Sequence, residues 1–143
     1  MFIGEYTLSI DEKGRLSVPA KFRHDLKNKA VVTRGLDNSL FLYTHSEWGK
    51  LAEKLAALPI SKANTRAFAR LMLSGAMDCE LDTIGRIVLP EYLREFAKIS
   101  KKVVVTGMYN RMEIWSEDLW NKYKKNTEKD STKIAEQLGE IGI

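Results

Sequence analysis

Cysteine is nearly absent: Cys79 stands alone, so no intrachain disulfide can form and no cysteine cluster can hold a metal. Histidine is almost as scarce. His24 and His45 are the only two, and no Ser-His-Asp, phosphate-loop or metal-ligand spacing surrounds them. An enzyme is therefore not expected, nor a metal, a cofactor or a small-molecule substrate. No apolar run approaches the roughly 18 residues that cross a bilayer. The opening "MFIGEYTLSI" also lacks a basic region leading into an apolar stretch and a small-residue cleavage site. The expectation is a cytoplasmic protein without a membrane partner. Low-complexity tracts are missing too.

What is present suits a compact soluble chain. At 143 residues, with 44% hydrophobic and 29% charged, it is sized for one domain or for two small elements sharing a core. The net charge of +4 and pI near 9.1 favour a polyanionic partner without proving one. Its distribution says more. Residues 11 to 34 hold seven Lys or Arg against three Asp or Glu, and residues 82 to 105 hold five against three. These windows carry +4 and +2, which leaves −2 for the rest of the chain.

The two windows are related. "DEKGRLSVP" at 11–19 is restated by "DTIGRIVLP" at 82–90, with Asp11 and Asp82, Gly14 and Gly85, Arg15 and Arg86, and Pro19 and Pro90 each 71 apart. Gly4 and Gly75, Leu8 and Cys79, Phe22 and Leu93, and Arg23 and Arg94 keep that spacing. From there a spacing of 72 pairs Val31 with Val103, Gly35 with Gly107, Asn38 with Asn110, Leu42 with Ile114 and Trp48 with Trp120. The reading is a duplication with a single one-residue slip between a short helix and the next strand.

Within a copy, Tyr6, Leu8 and Ile10 alternate with Thr7 and Ser9, as a strand with one buried face requires, and Met77, Cys79 and Leu81 repeat the parity. "DEKG" and "DTIG" have the Asp-first, Gly-fourth preference of a type I turn. A second strand begins after each. Pro19 and Pro90 open short helices, with Phe22 and Leu26, or Leu93 and Ala97, on one face. "AVVTR" and "SLFLY", then "KVVVTG" and "RMEIW", read as further strands, and Thr44 with Glu47 matches a capping box. A helix is expected from about Lys62 to Ser74, with Phe68, Leu71 and Met72 on its apolar stripe and Gly75 as its stop, and another from Ser131 to Leu138.

A copy of roughly 45 residues is near the limit below which a domain rarely stabilises itself, so two copies should share one core. The expected architecture is α+β, with two strand sets interlocked about a pseudo-twofold axis. The divisions are a first element at 5–47, a helical connection at 48–75, a second element at 76–119 and a helical tail at 120–143. Taken singly, D-x-x-G-R describes a hairpin turn with a solvated arginine. Doubled by pseudo-symmetry, it puts Arg15 and Arg86 on one side of the molecule, where paired cations suit a DNA duplex. Lys13 sits in the first turn and Lys21 and Arg23 follow it, while in the second turn Thr83 and Ile84 replace Glu12 and Lys13, which makes that prong the weaker. Asp11 and Asp82 are assigned to hold the turns and orient the arginines, because a carboxylate facing phosphate would repel it.

At this point "GEYTLSIDEKGRLSVPAKFR", "LDTIGRIVLP", "RGLDNSLFLY" and "TGMYNRMEIW" resemble the MraZ family of bacterial transcriptional regulators, built from two tandem AbrB/SpoVT-type DNA-binding elements. The resemblance spans nearly the whole chain. It implies a double-psi, swapped-hairpin β-barrel flanked by helices and assembly into a ring-shaped homo-oligomer. It also implies a nucleoid-associated regulator that binds direct repeats in its own promoter region, upstream of the division and cell-wall gene cluster. Lys13, Gly14, Arg15 and Arg86 would lie at the double-stranded DNA, with Asp11, Asp82 and Gly85 shaping the turns.

Rival readings are an antitoxin-like regulator, which ordinarily has one copy and a flexible tail, and a purely structural oligomeric ring. Trp48 and Trp120, early in helices beside Leu51 and Tyr123, are read as packing residues and not as base-stacking ones. Cys79 replaces Leu8 and is read as a small buried hydrophobe. Arg66 and Arg70 are read as a solvated or subunit-contact face.

Overall fold

A computed structural model describes residues 1–143. The first copy contributes β1 (Phe2–Ser9), β2 (Arg15–Ser17), α1 (Ala20–Leu26), β3 (Lys29–Arg34) and β4 (Leu40–Tyr43). Helices α2 (His45–Ala56) and α3 (Ala63–Gly75) lead to the second copy. That copy comprises β5 (Met77–Glu80), β6 (Arg86–Val88), α4 (Glu91–Phe96), β7 (Lys102–Tyr109) and β8 (Met112–Ser116). Helices α5 (Glu117–Lys129) and α6 (Ser131–Gln137) follow.

The strands form a six-stranded antiparallel sheet, ordered β1-β7-β8-β4-β3-β5, and a separate two-stranded ribbon, β2-β6. Hairpins β3–β4 and β7–β8 are local. Every other pairing crosses between copies: β1 with β7, β5 with β3, β4 with β8 and β2 with β6. Within the β4–β8 ladder Leu40 faces Ile114, Phe41 faces Glu113 and Leu42 faces Met112, so the register is symmetric about equivalent residues 72 apart. The mixed α+β architecture and the pseudo-twofold are as expected. The barrel does not close as a ladder, because β1 and β5 remain sheet edges. The strands that would seal the gap are three-residue segments that pair with each other, and β2 meets the chain leaving β1 at an isolated bridge between Ile10 and Leu16.

The duplication needs one correction. In β3 and β7 the structural counterparts lie 73 apart and not 72: Val32 faces Leu42 as Val105 faces Ile114, and Thr33 faces Phe41 as Thr106 faces Glu113. Ala30 and Val32 share the central core with Val103 and Val105, whereas Val31 is buried outside it. Two residues are gained before β7 and one is lost in the β7–β8 turn, restoring 72 in β8. Both changes fall in loops, where length is cheap to alter.

That core is common to both copies. Phe22 and Leu26 of α1, Leu93 of α4 and Ala97 at its end meet Leu16, Val18, Ile87 and Leu89 and the inner faces of the central strands. Phe22 is wholly buried and takes Phe2 and Tyr6 edge-on, with ring centroids 5.3 and 5.4 Å away. Burying a side chain of this size is worth about 1.5–3 kcal/mol over leaving it exposed.

The helices cover the other face. Phe41, Tyr43, Leu55 and Met72 form a smaller cluster under α2 and α3, with Trp48 packed on Tyr43. Trp120 and Tyr123 of α5 pack on Trp115 at 5.3 and 5.2 Å, so both early-helix tryptophans are packing residues. Thr44 Oγ1 accepts the Glu47 amide, the forward half of the capping box, while Glu47 itself turns to Lys50. On the α3 stripe Met72 is buried but Phe68 is partly exposed. Gly75 ends α3 without a left-handed turn. The orphan carbonyls there are satisfied by other elements instead: Thr33 donates to Met72 O, Arg34 to Leu71 O and Tyr92 to Gly75 O.

Candidate nucleic-acid interface

Each D-x-x-G-R segment folds the same way. The Gly14 amide donates to Asp11 O and the Asp11 amide to Arg15 O, and Gly85, Asp82 and Arg86 repeat this. Gly14 (φ +78°) and Gly85 (φ +82°) take the left-handed conformation, which gives a type I turn closed by a bulge. Both glycines are buried. Gly14, grouped with the DNA-facing residues in the sequence reading, is thus covered by its own protein.

The aspartates do two jobs. Asp11 Oδ1 accepts the amides of Lys13 and Arg15 at 3.0 and 2.8 Å, and Oδ2 accepts Arg15 Nε at 2.6 Å. Asp82 does the same with Ile84, Arg86 and Arg86 Nε at 3.1, 2.8 and 2.7 Å. Hydrogen bonding from the Arg15 backbone amide holds the Asp11 carboxyl below its ordinary 3.8 despite some desolvation, with the guanidinium and the Lys13 amide adding to the effect. Asp82 is held down likewise, first by the Arg86 amide. Both carboxylates are therefore charged at neutral pH and fix the side chains through Nε. The terminal amino groups of Arg15 and Arg86 make no hydrogen bond within the chain.

The ribbon places these arginines. Arg15 pairs with Val88, Leu16 with Ile87 and Ser17 with Arg86. Side chains alternate across a strand, so Leu16 and Ile87 face the core while Arg15, Ser17, Arg86 and Val88 share the outer face. Arg15 and Arg86 are diagonal neighbours, a relationship that sets residues about 7–8 Å apart with their β-carbons somewhat closer. Their side chains, on this one face, are 32% and 28% exposed, so neither arginine is buried in the core.

Lys13 is exposed beside the first turn, where the second turn presents Ile84. By count, Asp11, Glu12 and Asp82 balance Lys13, Arg15 and Arg86, so this face relies on directed donors more than on net charge. Lys21 is exposed on α1. Arg23 is not part of that surface: it turns inward and donates from Nε to Val18 O at 2.8 Å. Sequence reading missed Ser17 and Val88 on the ribbon face, since only the β2–β6 register brings them there. No three His, Cys, Asp or Glu side chains stand close enough to hold a metal ion, and no helix is long and apolar enough to cross a membrane.

The family described as "MraZ protein, putative antitoxin-like" matches residues 1–71 and again 72–140, one match per copy. Over 143 residues, covering 100% of both chains, the sequence is 48% identical to the transcriptional regulator MraZ of Caldanaerobacter subterraneus subsp. tengcongensis. The same coverage holds at 49% identity for the transcriptional regulator MraZ of Natranaerobius thermophilus. With both copies of the repeat matched in tandem and nearly half the residues shared along its whole length, the chain belongs to the MraZ family.

Proposed function

We infer that the protein is a DNA-binding transcriptional regulator whose β2–β6 ribbon enters the major groove and presents Arg15 and Arg86 to the duplex. The observation that carries this is the shared outer face of two arginines, each held through Nε with its terminal amino groups free of hydrogen bonds within the chain. A major groove about 12 Å wide admits a two-stranded ribbon, and arginine pairs bidentately with guanine or bridges phosphates. Lys13 adds a contact from the first turn, and Asp11, Asp82, Gly14 and Gly85 shape the loops. That these relatives are named transcriptional regulators supports the reading.

In its fuller form, elements 5–47 and 76–119 act as one swapped-hairpin barrel in which the ribbon complements the open sheet. The subunits assemble into a homo-oligomeric ring and engage direct repeats near one helical turn, about 10 bp, apart. These repeats lie in the promoter region of the division and cell-wall gene cluster, which places the protein in the cytoplasm at the nucleoid.

The test is a mobility-shift assay with the DNA upstream of the protein's own gene, beside a scrambled duplex, at two salt concentrations. Arg15→Glu abolishes the specific shift and Arg86→Ala weakens it. Equal binding of wild type and both variants defeats the assignment. The antitoxin-like wording of the family favours one second reading, a regulator that also holds a toxin. Copurification of a small basic protein that blocks growth when released supports it.

A further inference from the structure

We propose that Arg23 and Arg94 are positioning residues, each setting, from one copy of the repeat, the turn that carries the other copy's DNA-facing arginine. The proposal rests on the DNA-binding reading for its consequence but not for its geometry. Arg23 belongs to the first copy and Gly85 to the second, yet the Arg23 guanidinium lies directly on the Gly85 α-carbon, where an added β-carbon would collide with Arg23 Nε and Cζ. Arg94 does the reverse. A β-carbon on Gly14 would meet Arg94 Nε at 3.0 Å and Leu89 O at 2.8 Å.

Backbone bonds complete two crossed braces. Val18 donates its amide to Gly85 O at 3.0 Å and accepts Arg23 Nε on its carbonyl at 2.8 Å. Leu89 donates to Gly14 O at 2.8 Å and accepts Arg94 Nε at 2.9 Å. Both arginines are half-buried, four residues after their prolines and 71 apart. A flat guanidinium can hydrogen-bond in its plane while its face covers a residue without a side chain, which lysine cannot imitate. The turn glycines are thus required twice, for their positive φ and for this close approach. Because Gly85 precedes Arg86 and Gly14 precedes Arg15, each brace fixes where the opposite prong leaves its turn.

Two measurements on the full-length protein test this. Amide hydrogen exchange of Arg23→Met is expected to accelerate at Val18 and Gly85 at least about tenfold more than at Leu89 and Gly14, with the mirror pattern for Arg94→Met. The two mirror sites serve as alternatives should one variant fail to fold. Uniform acceleration, or none at the opposite turn, overturns the brace whether or not the protein binds DNA. In mobility shifts with the same upstream duplex, Arg23→Met weakens binding on the order of tenfold without changing the salt slope, whereas Arg15→Ala lowers the slope by about 1. The loss disappears in an Arg86→Ala background and persists in an Arg15→Ala background. A reduced slope for Arg23→Met, or equal losses in both backgrounds, makes Arg23 a direct phosphate contact and rejects the positioning role. Absence of a wild-type shift instead defeats the DNA reading and leaves the exchange result to decide the brace.

Discussion

Leu16 stands opposite Ile87 at the centre of the β2–β6 ribbon, and the two are each other's counterparts in the duplication. The pseudo-twofold axis passes between them. It passes also between Phe41 and Glu113, the counterparts that face each other in the β4–β8 ladder. Both Leu16 and Ile87 are almost wholly buried, so the ribbon bearing Arg15 and Arg86 is anchored to the shared core at its midpoint. Leu16→Ala and Ile87→Ala are each expected to cost about 2–5 kcal/mol, measured by denaturant unfolding. A cost under about 1 kcal/mol would mean that the ribbon is not held by this pair.

Thr33 and Thr106 are counterparts with different surroundings. Thr33 Oγ1 donates to Met72 O at the end of α3, whereas Thr106 Oγ1 is buried without a hydrogen-bond partner in the chain. Thr33→Val is expected to destabilise by about 1–3 kcal/mol, since it strands a buried carbonyl. Thr106→Val is expected to be neutral or stabilising. Equal losses in thermal melts of the two variants would refute the distinction.

Acid sensitivity follows from the turn carboxylates. The folded pKa values of Asp11 and Asp82 lie below the ordinary 3.8, so as the pH falls the unfolded chain takes up these protons first. Their contribution is fully present well above 3.8 and is lost as the pH falls from there through the folded values. Between pH 5 and 8 these two groups should leave the melting temperature unchanged. The double variant Asp11→Asn, Asp82→Asn should melt lower at pH 7 and lose less than wild type between pH 4 and 2. A parallel decline of the two proteins would show that the turns do not contribute.

Cys79 is 7% exposed, and burial, with the neighbouring Asp78 charge, pushes its thiol up to about 11. At pH 8 only about one molecule in a thousand carries the thiolate. The native protein should therefore resist a thiol reagent, while the unfolded chain titrates its single cysteine. Rapid labelling of the native state would show that edge strand β5 opens.

The turns differ in charge at two positions, Glu12 against Thr83 and Lys13 against Ile84, and only the second removes a cation, at Ile84, which is 58% exposed. Ile84→Lys should strengthen binding to the upstream duplex at low salt and steepen the salt dependence by about 1. Unaltered affinity and slope would show that the second turn lies away from the phosphates.

Much of the candidate site was legible in the linear chain, because turns and caps are local. Asp-x-x-Gly specifies a type I turn through the preferences of adjacent residues, and Thr44 caps a helix through an amide three residues away. The duplicated spacing announced two turns of equal form. The slip in β3 and β7 was misjudged for a physical reason: "AVVTR" and "KVVVTG" are apolar on both faces, so alternation gives no parity and any small shift looks plausible. Only the ladders, with Val32 on Leu42 and Val105 on Ile114, decide it.

By itself, then, the order of residues determined the local pieces: a duplicated strand, turn, strand and short helix, with a carboxylate beside each arginine. Tertiary structure alone decided that β2 seeks β6 and β1 seeks β7, that the sheet stays open at β1 and β5, and that Arg23 points inward to the other copy's glycine. The reason is that these pairings and that close backbone approach join residues more than 60 positions apart, and their energy comes from burying one core between two copies, each near the lower size limit for a domain.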